Sequence, residues 1–135
     1  MSMLEAITGA PNPSQPLPWL LSSGQPTADD LREAVARGVN TVIDLRDPME
    51  PRPFDEPALL AELGIRYINI PVVSGDLDDE TMEKIITAMR EHAGSATLMH
   101  CASANRVGGP LIAWLMMEQG RSQEEAVEIA MRGGL

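Results

Sequence analysis

His100-Cys101-Ala102-Ser103-Ala104-Asn105-Arg106-Val107-Gly108 follows the apolar run Ala96 to Met99 and precedes Gly109-Pro110 and a second apolar run from Leu111. Strand, cysteine, small-residue loop, arginine, glycine and helix, in that order, predict a thiol at the end of a buried strand beside a helix N-terminus. Backbone N–H groups and aligned peptide dipoles favour negative charge there. The same field stabilises a thiolate and a bound oxyanion together. Arg106 adds a planar fork of donors able to grip two oxygens of a phosphate, sulfate or sulfonate. Cys101 is therefore the candidate nucleophile and Arg106 the clamp, with Ala102, Ser103, Ala104, Asn105, Val107 and Gly108 as the anion-binding loop. The competing reading is a structural cysteine near an unrelated surface arginine, the common fate of a lone Cys.

The rest of the chain limits what such a site can be. Its 135 residues suffice for one domain with a real core. We read residues 1–18, which hold four prolines, as an arm laid over the surface, and residues 19–135 as a single catalytic domain. One cysteine rules out an intramolecular disulfide, and a free reactive thiol belongs in a reducing, cytoplasmic compartment. Neither a membrane span nor an export signal is expected. With 20 acidic against 10 basic residues, the overall field repels nucleic acid and anionic lipid. A small anionic substrate has to be held by a local site.

Alternating apolar runs and caps predict an α/β fold with a mostly parallel sheet of about four to five strands and helices on both faces. Strands are expected at Trp19 to Ser22, Thr41 to Leu45, Tyr67 to Ile70 and Thr97 to His100. Helices are expected from Ala28 to about Arg37 behind a Thr27 cap, around Ala58 to Leu63, and from Glu80 to His92 behind Asp79. Two more run from Leu111 to Gln119 and from Ser122 to about Arg132, with Glu125 completing a capping box. Met82, Met89, Met116 and Met117 are read as packing residues. His100 should point away from the loop and orient its backbone rather than act as a base. Asp44 and Arg46 end a strand at the same edge, and Arg46 is either a second anion contact or the partner of a carboxylate in the Asp47 to Glu56 loop. No cluster has metal-ligand spacing and no nucleotide-binding glycine loop is present, so neither metal nor cofactor is expected.

Together Ser23-Gly24-Gln25-Pro26-Thr27, Val42-Ile43-Asp44-Leu45-Arg46, Tyr67-Ile68-Asn69-Ile70-Pro71 and the His100 to Gly108 stretch resemble the beta-lactamase-hydrolase-like phosphatase family. That family is a branch of the dual-specificity and tyrosine phosphatase superfamily, and some of its members are called sulfur transferases. The resemblance implies a compact, three-layer phosphatase-like fold. Ala104 stands where the family loop has glycine. Four residues separate Cys101 from Arg106, one fewer than in true phosphatases and as many as in rhodanese-type sulfurtransferases. A shorter loop offers one fewer N–H and a tighter bowl. Val72-Val73 stand where dual-specificity phosphatases place the acid, leaving Asp76, and less readily Asp78, as candidates for that role. These departures favour sulfur transfer from thiosulfate or a persulfide, through a Cys101 persulfide, to a small thiol acceptor. Phosphomonoester hydrolysis through a phosphocysteine is the alternative, and a non-catalytic anion- or partner-binding module the second.

Overall fold

The computed structural model describes residue 7 and residues 9–47, 49, 53–72, 78–102 and 105–131. Five short strands form one sheet: β1 (Ser14–Leu17), β2 (Leu20–Ser23), β3 (Thr41–Asp44), β4 (Arg66–Asn69) and β5 (Thr97–His100). Their spatial order is β1-β2-β5-β3-β4, with β1 antiparallel to β2 and the other neighbours parallel. Five helices connect and cover them: α1 (Ala28–Ala36), α2 (Glu56–Glu62), α3 (Asp79–His92), α4 (Asn105–Gln119) and α5 (Gln123–Met131). The expected α/β class, with a largely parallel sheet between helical layers, is the class observed.

Side-chain alternation along the strands sorts the core into two layers. Leu21, Val42 and Leu98 pack with Leu31 and Ala34 of α1 and Leu59 and Leu60 of α2. On the other face Leu20, Ile43 and Met99 meet Ile85 and Met89 of α3, Leu111 and Leu115 of α4, and Ala126 of α5. Register then places the ends. Ser23 lies opposite His100, His100 opposite Asp44, and Asp44 opposite Asn69. All four parallel strands therefore finish level, and the loops that follow them open at one edge.

Local chemistry sets the helix boundaries. Thr27 and Asp30 cap α1 reciprocally, and Gly38, at φ 112°, turns the chain out in a conformation that side chains resist. Ser122 and Glu125 exchange the equivalent bonds at the start of α5. Expectation and structure part at α3, where the cap is Asp78 rather than Asp79. Its carboxylate accepts from the Thr81 N–H at 2.7 Å. That bond, the Thr81 hydroxyl and, more weakly, Lys84 hold the Asp78 carboxyl below the ordinary range. Since the folded value is the lower one, the cap's contribution is complete above the unfolded value and fades as pH falls through the folded one. We expect Asp78→Ala to lower the melting temperature at neutral pH, and the gap from the parent protein to close in strong acid. A gap independent of pH would exclude an ionised cap.

The proline-rich segment is more than a surface arm. Its Ser14–Leu17 forms β1, and Ile7 and Ala10 are buried in the α1/α2 core layer. Asp30 anchors it as well, since its carboxylate accepts from the Gly9 N–H at 3.2 Å. Two of the methionines read as packing residues are not buried. Met116 and Met117 are 41% and 64% exposed on the outer side of α4.

Candidate active site

Cys101 leaves the central strand β5 on the face covered by α3, α4 and α5, and it is fully buried there beside Leu45, Val72 and Val107. Its N–H donates to the Ser23 carbonyl at 3.2 Å, and the Leu45 N–H donates to the His100 carbonyl at 2.9 Å. The strand end is thus held from both sides. The Gln25 N–H donates to the Ala102 carbonyl at 2.9 Å, which ties the start of the Cys loop to the loop between β2 and α1. Only a residue without a side chain fits at that junction. A Cβ on Gly24 would stand 2.5 Å from the Ala102 carbonyl oxygen and 2.8 Å from the Pro11 Cβ. Gly24→Ala is accordingly expected to destabilise the fold by about 1–3 kcal/mol and to depress activity further by shifting the Cys loop. Unfolding and turnover measured on one preparation test this, and an unchanged melt with full activity would contradict it.

Arg106 lies in the first turn of α4 and its Nη1 donates to the Val72 carbonyl at 3.2 Å. The helix was expected only from Leu111, because Gly108-Gly109-Pro110 reads as a breaker. All three residues are instead helical, Pro110 lying inside α4. The early start places three of the expected loop residues, Asn105, Val107 and Gly108, in the first turn of the helix, and Val107 is turned into the core. It also changes the count of donors, since the first four N–H groups of a helix have no partner within it. A short loop running straight into α4 has those donors as well as its own. Ser103 and Ala104 fall outside the described residues, and Asn105 is described only as the first residue of α4.

The opposite face of the same strand ends carries a buried polar network. His100 Nε2 lies 2.6 Å from Glu56 Oε2, and its Nδ1 lies 3.3 Å from the Cys101 carbonyl and 3.9 Å from Asp44 Oδ1. Gln25 donates to Glu56 Oε1 at 2.8 Å and accepts from Arg46 at 2.8 Å. Asp44 accepts from the Tyr67 hydroxyl at 2.6 Å and from the Arg46 N–H at 2.9 Å. Asn69 donates to the Asp44 and Arg46 carbonyls, at 2.8 and 2.9 Å. Arg46 is only 7% exposed. Gln25 links it to Glu56, the last carboxylate of the loop that sequence reading had marked as its alternative partner. Asp44, Glu56 and His100 do present ligand-type atoms within 4.8 Å of one another, but these atoms take part in the contacts just described. That makes the trio a hydrogen-bonded network.

Glu56, Gln25, Tyr67 and Asn69 were not singled out as site residues from sequence. Gln25 and Asn69 sat in the quoted motifs, but nothing local reveals partners 31 or 23 residues away. Asp76 lies outside the described residues. Asp78 is committed to α3, and a carboxyl held ionised by its cap bonds is a poor proton donor. Hollows lie elsewhere among the described residues, including one of about 650 Å³ lined by Arg66, Ile68, Glu83 and Glu91 between β4 and α3. Neither Cys101 nor Arg106 lines it.

A cysteine closing the middle strand of a parallel sheet, with an arginine on the first turn of the next helix, defines the frame of the tyrosine and dual-specificity phosphatases. Comparison with known proteins agrees. The crystal structure of a candidate phosphatase (DUF442) from Shewanella putrefaciens superposes with a TM-score of 0.80 at 28% identity, over 93% of this chain and 84% of its own. Tk-PTP in its active form gives 0.79 at 25%, over 91% and 84%. In sequence, the beta-lactamase hydrolase-like protein of Xylella fastidiosa is 29% identical over 115 residues, 81% of this chain. The chain spans about a quarter (26%) of the length of the curated relatives it matches. No family model matches. The resemblance to the beta-lactamase-hydrolase-like phosphatases thus holds in both sequence and fold. Sulfur transfer, the favoured expectation from loop length, gains no support from these neighbours, and the phosphatase alternative fits them better. Among the described residues no helix is long and apolar enough to cross a membrane.

Proposed function

We propose that the chain hydrolyses a phosphomonoester through a phosphocysteine on Cys101. The observation that carries the reading is the placement of Cys101 at the end of β5 against the first turn of α4, with Arg106 on that turn, in a fold shared with phosphatases. The phosphate oxygens meet the Arg106 fork and the N-terminal end of α4, where the helix dipole favours negative charge. The Cys101 thiolate attacks phosphorus; the S–P bond forms as the bond to the ester oxygen breaks, and the leaving oxygen takes up a proton. Water then attacks phosphorus, the S–P bond breaks, and inorganic phosphate leaves with the thiolate restored. Asp76 remains the candidate donor to the leaving oxygen. An aryl phosphate, whose leaving group needs little protonation, is the substrate class best matched to such a site. With a net charge of −10, attraction of the dianion falls to Arg106 and the helix N-terminus rather than to the surface.

Intact mass is the decisive measurement. A quenched reaction with an aryl phosphate should show a phosphoryl group on the protein, lost in Cys101→Ser. Incubation with thiosulfate should add no sulfur. A persulfide without phosphoryl transfer would return the reading to sulfur chemistry, and an inert thiol in both reactions would leave an anion-binding module.

A further inference from the structure

We propose that the groove between β4 and α3 docks an extended, basic segment of a partner protein. β4 is the outer strand of the sheet, with a strand neighbour on one side only, and it is the one described strand without a buried residue. Proteins usually blunt such an edge with proline or with charge along the strand, or cover it. β4 has no proline, and its single charged residue, Arg66, stands at its first position. Arg66 and Ile70 donate their N–H groups to the Asn40 and Asp44 carbonyls, so the alternation of a parallel ladder turns the main chain of Asn69 toward the outer side. A segment lying alongside can pair there and continue the sheet.

The side chains beside this edge specify what such a segment carries. Ile68 and Ile70 from β4 and Ala88 from α3 give the hollow of about 650 Å³ an apolar floor. Glu83, Thr87 and Glu91, all exposed, line its α3 wall. Lys84 lies 3.6 Å from Glu80, whereas neither Glu83 nor Glu91 enters an ion pair among the described residues. The step from Glu83 to Glu91 sets these carboxylates about 12 Å apart along the helix axis. Side chains on one face of an extended chain recur about every 6.7 Å, so residues four apart stand about 13 Å apart. The groove therefore fits lysine or arginine at two positions four apart, with an apolar side chain midway above the floor. A second copy of this chain is the poorer occupant. Two-fold pairing of β4 with β4 would bring the same glutamates face to face between chains of net charge −10. Ile68 and Ile70 pack on the Cys101 side of the sheet, so a docked partner lies on the side of the nucleophile.

Panning a random peptide library on the intact protein tests this. Enriched peptides should show the two basic positions four apart with an apolar residue between them, and their titration should shift the amide resonances of Ile68, Asn69 and Thr87. Glu83→Lys combined with Glu91→Lys should weaken an enriched peptide roughly tenfold or more, the combined scale of two exposed attractions turned into repulsions. Both positions are exposed, so the melt and aryl phosphate turnover should stay near those of the parent. Exchanging the peptide's two basic residues for glutamate should restore binding to the double variant. Failure to enrich, equal binding by parent and variant, or shifts confined to other elements would overturn the proposal. So would equal binding of oligolysine, which would reduce the groove to bare charge, or a dimer joined through β4. The inference goes beyond the phosphatase reading and does not need it. Panning reads binding alone, so docking can fail with turnover intact, and an inactive protein can still dock.

Discussion

Cys101→Ser is expected to cut aryl phosphate hydrolysis by a factor on the order of 10⁴ or more, the scale seen when a covalent nucleophile is removed, with little change in the thermal melt. A serine hydroxyl in this position needs a base to activate it. His100, the nearest imidazole in sequence, faces the other side of the sheet, where its nitrogens meet Glu56 and the Cys101 carbonyl. The helix N-terminus and Arg106 remain in the variant, so it should still bind inorganic phosphate. Steady-state kinetics and phosphate titration together check this. Turnover within tenfold of the parent would take the nucleophile away from Cys101, and loss of phosphate binding would mean that the bowl itself had collapsed.

Arg106→Lys should lower kcat/KM by roughly 10²–10³, comparable with losing a preorganised donor from an oxyanion site. An ammonium presents a compact point charge where two coplanar N–H groups are needed to span a phosphoryl group. Its single head can take over the bond to the Val72 carbonyl, which is why the melt should change little while catalysis fails. A folded variant with undiminished kcat/KM would take Arg106 out of the site.

Most of the architecture was legible because its determinants are local. The β5 boundaries agree with the run Thr97 to His100, and the Thr27 cap and the Ser122–Glu125 capping box sit where the sequence places them. The strand β1 was hidden by Pro16 within it and by Pro13 and Pro18 on either side, and an edge strand accommodates Pro16 because half of its backbone donors face no neighbour. The start of α4 was hidden by Gly108-Gly109-Pro110, since local propensity yields to the packing of Val107, Leu111 and Trp114 against the sheet. Cys101 and Arg106 stood out because a few adjacent residues define them. Glu56 did not, because its relation to His100 spans 44 residues and exists only once α2 is docked. The preference for sulfur rested on the four-residue spacing and on Val72-Val73 standing in place of an acid, and neither local signal shows that α4 begins at Asn105.

The level strand ends divide the labour between the two sides of the sheet. His100 and Cys101 are neighbours in sequence yet address different layers: one side carries the hydrogen-bonded network, the other Cys101 and Arg106. Under the proposed chemistry, substitutions behind the sheet reach the end of β5 without reshaping the surface on the α3 and α4 side. Changes around α3 and α4 in turn leave the buried hydrogen-bonded network in place. The two sides of such a small scaffold can therefore be altered one at a time.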